Sequence, residues 1–119
     1  MYYALLIHQA EEAWEQTREP ERQAALAAHR KLQQDSKERG VFRATARLAH
    51  STAATTLRRR AGDEVLVDGP YLETKELLAG FYILECESLE EALAYARRIP
   101  TLGGGVEVRP IGFHDFAGA

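Results

Sequence analysis

The chain has 119 residues, which bounds it to one domain spanning 1–119, and its apolar fraction of 45% and charged fraction of 28% are ordinary for a soluble globular protein. A formal net charge of −3 argues mildly against a nucleic-acid backbone as a direct partner. The one cysteine, Cys86, excludes an internal disulfide and fits a cytoplasmic protein, and no apolar run approaches a membrane span or has the layout of a secretory leader.

In chain order, Tyr2 to Ile7 is a continuous apolar run of strand length, ending at His8. Residues 11 to 17 suit a short helical turn around Trp14. Glu21 to Arg39 is rich in Ala, Gln, Lys and Glu, with Pro20 fitting the first turn of a helix and Gly40 its stop. Val41 to His50 reads as a strand. Thr55 to Arg60 and Glu64 to Asp68 read as a hairpin around Ala61-Gly62-Asp63, and Ala79 to Glu87 as a strand with few polar positions. Ser88 caps a second helix, with Glu91 completing a capping box. Leu89, Ala92, Leu93, Ala96 and Ile99 form its apolar stripe, and Pro100 stops it. Gly103-Gly104-Gly105 is a flexible loop and Val106 to Phe113 the last strand. The order β-α-β-(β-hairpin)-β-α-β predicts an α+β, ferredoxin-like sandwich: an antiparallel sheet, two main helices on one face and an inserted hairpin.

Right-handed crossovers place both helices on one face of such a sheet. Tyr2 to Ile7 and Phe81 to Leu84 are nevertheless apolar on both faces, whereas a strand buried on one face alternates. A second apolar face of that size marks an interface. A homodimer packed sheet to sheet is therefore expected, with cover by the tail Phe113 to Ala119 as the alternative.

The most specific segment is Asp68 to Tyr82. Gly69 permits positive φ, Pro70 fixes φ and removes a donor, and Asp68 can accept bonds from following amides. A loop so constrained holds side chains in place, and sites are often built on such loops. Asp68 is the candidate acid or base; capping the turn is its competing role. In the first helix, His29 lies within about 60° of Ala25, Leu32 and Ser36, on the face turned toward the sheet. It is expected to be a partly buried imidazole that titrates near neutral pH, or else a hydrogen-bonded histidine at the core margin. His8 ends a strand and could share a cleft with Asp68. Lys75 with Glu73 and Glu76 forms either a docking loop for an anion or a solvated helical turn. Arg58 and Arg60 point away from Arg59 on a strand, which favours charges that block edge pairing over an anion patch. Cys86 has no neighbouring cation and reads as core. No histidine pair has metal-site spacing, and no metal or cofactor is expected.

Asp68, Gly69, Pro70, Glu73, Thr74, Lys75, Glu76, Gly80, Phe81 and Tyr82 match the usual string of the YciI-like, or DGPF, family, with Tyr71 in place of Phe and Ala79 in place of a common Gly. The likeness extends to the apolar first strand, Ala54 to Arg58, Ser88 to Ala92 and the closing Gly-Gly-x-Val-Glu-Val-Arg-Pro. The chain thus resembles members of the dimeric α/β-barrel superfamily, which implies a sheet-to-sheet dimer. The resemblance also implies that Asp68 and a helix histidine, His29, are catalytic candidates, the DGPF branch often having Tyr at that helix position. Gly69, Pro70, Tyr71, Lys75, His8 and Tyr82 are candidate binding residues.

Two functions follow from these readings. One is a small cofactorless enzyme doing acid–base chemistry on a small carbonyl or phenolic compound, in a cleft lined by Tyr3, Phe81 and Tyr82. The other is a ligand-binding or regulatory module, because the resemblance links such proteins to extracytoplasmic-function sigma factors. A third, plainer possibility is a dimerisation domain without an active cleft.

Overall fold

A computed structural model describes residues 1–117, so the last two positions of the predicted tail lie outside the described residues. Strand β1 (Tyr2–Ala10) leads through helix α1 (Glu11–Glu15) into the long helix α2 (Glu19–Glu38), followed by β2 (Phe42–Arg47) and a single 3-10 turn (Ser51–Ala53). The hairpin β3 (Thr55–Arg60) and β4 (Asp63–Asp68), then β5 (Glu76–Glu85), α3 (Leu89–Ala96) and β6 (Gly104–Pro110) complete the chain. The main sheet is antiparallel in the order β2-β5-β1-β6, and β3-β4 is a separate two-stranded sheet. This is the expected ferredoxin-like α+β arrangement with an inserted hairpin.

The core lies between the sheet and the two long helices. Tyr3, Leu5 and Ile7 of β1 and Tyr82 and Leu84 of β5 meet Leu32 of α2 and Ala92, Tyr95 and Ile99 of the α3 region. Alternation does hold along these strands. Tyr2, Ala4, Leu6, Phe81 and Ile83, on the other face, are only half-buried. At one corner the tail covers that face, because His114 and Phe116 pack on Tyr2 with ring centroids 4.3 and 5.3 Å away.

Helix α2 begins with Pro20 in its first turn and ends before Gly40, whose φ of 74° takes the chain out of the helix. An Asp35–Arg98 hydrogen bond of 2.7 Å ties it to the segment after α3, and that bond, with Lys31 at 3.2 Å, holds the Asp35 carboxyl below its usual range. The Ser88 hydroxyl caps α3 by accepting from the Glu91 amide at 3.2 Å, while the Glu91 carboxylate accepts from the Glu87 amide at 2.8 Å. Leu89 departs from the expected apolar stripe. As the first residue of α3 it faces solvent, and Tyr95 supplies the buried bulk instead. Cys86 is core, as expected; burial pushes its thiol up to about 11.

Several boundaries move: β1 runs on to Ala10 past the expected Ile7, and β6 ends at Pro110 rather than Phe113. β2 stops at Arg47, short of the expected His50, because the Glu11 carboxylate takes the Ser51 amide at 2.7 Å and its hydroxyl at 2.5 Å and bends the chain into the 3-10 turn. β5 starts at Glu76, so Glu73-Thr74-Lys75-Glu76 is not a helical turn; Thr74 bonds the Glu76 carbonyl and leads directly into the strand. β6 starts at Gly104 rather than Val106. A Cβ at Gly104 would lie 2.1 Å from the His8 carbonyl oxygen, so glycine is what lets the two backbones pair there.

The hairpin turns through Ala61 and Gly62, both at positive φ (49° and 88°), as a two-residue turn between twisted strands requires. It projects from the body with Leu66 71% exposed. The radius of gyration is 16.1 Å. A compact chain of this length has a radius near 13.5 Å, so the arm extends the molecule. Among the described residues no helix is long and apolar enough to cross a membrane.

Candidate functional site

A cavity of about 300 Å³ opens at one end of the helix-covered face of the sheet. Its floor is Ile7 and Gln9 of β1 with Ala79, Gly80 and Tyr82 of β5, and one wall is Ala25, Leu26, His29 and Gln33 of α2. Thr45 to Arg47 of β2, Trp14 of α1 and the Pro100–Leu102 segment close the other sides. Two local irregularities shape it. The register slips between Ile7 and His8, leaving Ala79 as an unpaired bulge residue in the floor, its carbonyl accepting from the Leu48 amide at 2.8 Å. Gly80 lets β2 come close, because a Cβ there would lie 2.5 Å from the Ala46 carbonyl oxygen.

Three polar groups converge inside. His29 Nδ1 is 2.8 Å from the Tyr82 hydroxyl, and the Gln33 amide donates to that hydroxyl at 3.3 Å. The His29 and Tyr82 rings lie parallel, 4° apart in plane. Burial first, and the charge of Arg47 second, hold the His29 pKa below the ordinary imidazole value, so the ring is neutral at pH 7. Burial also pushes the Tyr82 phenol up, against the opposing influence of bonds from Gln33 and Thr45. One tautomer satisfies the network: Gln33 donates to the hydroxyl, the hydroxyl donates to Nδ1, and the proton of His29 sits on Nε2. In this tautomer Nε2–H can donate a hydrogen bond to a ligand; in the other neutral tautomer, with Nδ1–H donating to the phenol, Nε2 is bare and can take a proton from one.

Two cations lie over Trp14. The Arg22 guanidinium sits 5.3 Å and that of Arg47 5.4 Å from its ring centroid. Arg22 also donates to the Trp14 and Glu15 carbonyls at 2.9 and 2.8 Å, closing the end of α1. Behind it, His50 bonds Glu15 at 2.9 Å, and Glu11 bonds Ser51. Burial raises the Glu11 pKa, but the Ser51 bonds and the nearby His50 outweigh it and leave the carboxylate low.

Asp68 and His29 are not brought together. Asp68 is exposed and lines a second, wider hollow with Gly69, Pro70, Lys75, Glu73 and Glu11. That hollow has the larger volume, about 740 Å³, but half of its lining residues are exposed and none is buried. The smaller cavity is the one in which partly desolvated polar groups converge. The signature loop is fastened to β3. The Gly69 amide (φ 112°) donates to the Ala54 carbonyl at 2.8 Å, Thr56 donates to the Gly69 carbonyl, and Arg58 donates to the Tyr71 carbonyl at 2.7 Å while lying over the Tyr71 ring. Arg58 is thus a loop fastener rather than an edge-blocking charge. Tyr71 is exposed beneath it.

His8 lies on the opposite face of the sheet from the cavity, 3.8 Å from Glu107, because side chains alternate and its neighbours Ile7 and Gln9 line the pocket. Of the aromatic residues expected in the cleft, Tyr82 lines it. Tyr3 is buried in the core, and Phe81 faces the other side of the sheet.

Trp14, Gln33, Gly80 and Arg47 were not anticipated as site residues. Gln33 carried a usable signal, being one helical turn after His29 on the same face. Trp14 and Arg47 carried none, because they reach the cavity from separate elements. Among the described residues no three His, Cys, Asp or Glu side chains converge as metal ligands would.

A family model described as the YCII-related domain matches residues 1–113. An uncharacterised protein of Rhizobium meliloti (strain 1021) is 39% identical over 120 residues, an alignment covering 96% of this chain and 94% of that relative.

Proposed function

We propose that this chain, which belongs to the YCII-related domain family, is a cofactorless acid–base catalyst that moves a proton on a small carbonyl or phenolic compound in the His29 cavity. The observation that carries this reading is the His29–Tyr82–Gln33 network: a neutral, half-buried imidazole backed by a phenol, at the wall of a mostly apolar cavity. His29 is the acid or base, Tyr82 its hydrogen-bond partner, and Gln33 orients the phenol. Asp68, with Gly69, Pro70, Tyr71 and Lys75, belongs to the neighbouring loop and contributes to access rather than to proton transfer. A homodimer is part of the reading. It is supported by the half-buried apolar outer face and by a hairpin that has no neighbour of its own, since an isolated two-stranded hairpin is marginal in water. A one-chain mass in sedimentation equilibrium removes that part.

The test is α-proton exchange in D₂O, followed by NMR, over a panel of small ketones, 2-oxo acids and phenols. His29→Gln and Tyr82→Phe should abolish exchange catalysed by the wild type, while Asp68→Asn retains it. Exchange that survives His29→Gln sinks the assignment.

A second reading, a ligand-binding or regulatory module with a sigma factor as partner, is favoured by the absence of any carboxylate among the cavity-lining residues. It expects ligand binding without exchange, and a complex with the sigma factor in size-exclusion chromatography; free migration of both proteins counts against it.

A further inference from the structure

We propose that the mouth of this cavity is a carboxylate site: Arg47 takes the carboxylate of a small aromatic acid whose ring enters the apolar interior. The inference rests on the cavity assigned above and adds the class of compound it accepts.

The lining is one-sided in charge. Arg47 is the single charged side chain among the lining residues, and no Asp or Glu is among them. Five arginines are paired with carboxylates: Arg18 with Glu21, Arg43 with Glu85, Arg59 with Glu64, Arg98 with Asp35 and Arg109 with Glu107. Arg47 has no carboxylate within ion-pair distance among the described residues, although it ends β2 next to the acid-rich Glu11–Glu15 helix. Those acids are engaged otherwise, Glu11 with Ser51 and Glu15 with His50. The guanidinium instead rests on the Trp14 ring. A guanidinium over an aromatic ring still has N–H donors to offer a planar anion.

The size and lining agree with the charge. A cavity of about 300 Å³ is at the small end of ligand sites, suited to one ring with a short side chain. Ile7, Ala25, Leu26 and Pro100 supply apolar walls, and Trp14 an aromatic one. A dicarboxylate or a cation would leave a charge against these walls without a partner.

Binding at Arg47 is coupled to His29. The imidazole contacts Tyr82 of β5, which Gln33 of its own helix also bonds, and shares the cavity with Gln9 of β1, Trp14 of α1 and Arg47 of β2, of which only Arg47 is charged. Arg47 disfavours the imidazolium. An anion seated on Arg47 cancels that repulsion, so substrate arrival makes His29 easier to protonate, as a general acid requires.

Trp14 is the one tryptophan of the chain and lines the cavity, so its fluorescence reports occupancy. The experiment titrates the full-length protein with benzoate, benzamide and benzylamine, three ligands of similar shape and different charge, and follows the His29 ring by NMR. Benzoate should bind about tenfold or more tightly than benzamide, since bonds between charged partners are about twice as strong as neutral ones. Benzylamine should bind least. Arg47→Gln should remove the benzoate preference, Arg47→Lys should restore part of it, and both should melt close to the wild type because the side chain is exposed. Saturating benzoate should raise the His29 pKa in the wild type but not in Arg47→Gln. Equal affinity for benzoate and benzamide, or undiminished benzoate affinity in Arg47→Gln, overturns the proposal. The acid–base reading fails separately: benzoate binding with no proton exchange on any carbonyl leaves the carboxylate site standing, and exchange on a neutral ketone without benzoate preference does the reverse.

Discussion

Replacing Tyr82 by Phe removes one oxygen from the most enclosed part of the site. The side chain is 1% exposed, and its hydroxyl serves His29 Nδ1 at 2.8 Å and Gln33 at 3.3 Å. The ring stays in the core, so no large cavity forms and the apolar burial is kept. The loss is the pair of hydrogen bonds. Gln33 is half-buried and can turn toward water, whereas His29 Nδ1 loses the partner it has in the wild type. An unsatisfied buried acceptor costs about 1–3 kcal/mol, and the partial exposure of His29 places this change at about 1–2 kcal/mol. At about 2.1 cal/mol/K of unfolding entropy per residue, a chain of this length loses about 4 °C of Tm per kcal/mol, so the Tm falls by roughly 4–8 °C.

Urea unfolding at pH 7.5 of wild type, Tyr82→Phe, His29→Ala and the double variant measures the coupling directly. If the bond exists, the double variant is more stable than the sum of single losses implies by about 0.5–1.5 kcal/mol. The His29 pKa rises in Tyr82→Phe, because the phenol O–H bonds only to an unprotonated Nδ1. Additivity within about 0.3 kcal/mol, together with an unmoved His29 titration, refutes the hydrogen-bond network and with it the assigned tautomer.

The floor of the cavity makes a second prediction. Gly80→Ala puts a methyl 2.5 Å from the Ala46 carbonyl oxygen, forcing β2 away from β5 at the edge of the sheet, which overpacking measurements place at about 1–3 kcal/mol. An unchanged Tm, or unchanged Trp14 fluorescence, contradicts that close approach. A third concerns pH. The His29 pKa lies below its unfolded value near 6.5, so the unfolded chain takes the proton first as pH falls. His29 therefore has no effect on stability well above pH 6.5 and lowers it progressively between that value and its own folded pKa. His29→Gln should lack this component, so the difference between the two urea midpoints should change between pH 8 and pH 5 in favour of the variant. A constant difference means that the imidazole is not desolvated.

Much of the scaffold was readable along the chain because its signals are local. Pro20 and Gly40 bracket α2, Ser88 opens α3, and Ala61-Gly62 turns the hairpin, each through backbone preferences or short-range bonds. The same holds for His29: helical period alone turned it toward the sheet. The family was also legible, since the Asp68 to Tyr82 string occupies consecutive positions. Boundaries were misplaced where distant partners intervene, as when Glu11 captures Ser51 and ends β2 early, or when Gly104 lies against the His8 carbonyl and starts β6 sooner.

Which residues share a cavity is a property of packing. Asp68 was expected to share a cleft with a histidine, His29 or His8, yet the loop fastened by Thr56 and Arg58 carries it to a separate hollow. His8 sits one residue from the cavity floor and still points the other way, because a strand alternates. Trp14, Arg47 and Tyr82 come from three elements and meet only because the sheet order, the bulge at Ala79 and the bare Gly80 set them side by side. The linear order of residues determines local turns and periodicities, which depend on neighbours within a few positions. Distances between remote side chains depend on how whole elements dock, and that was decided only in the folded molecule.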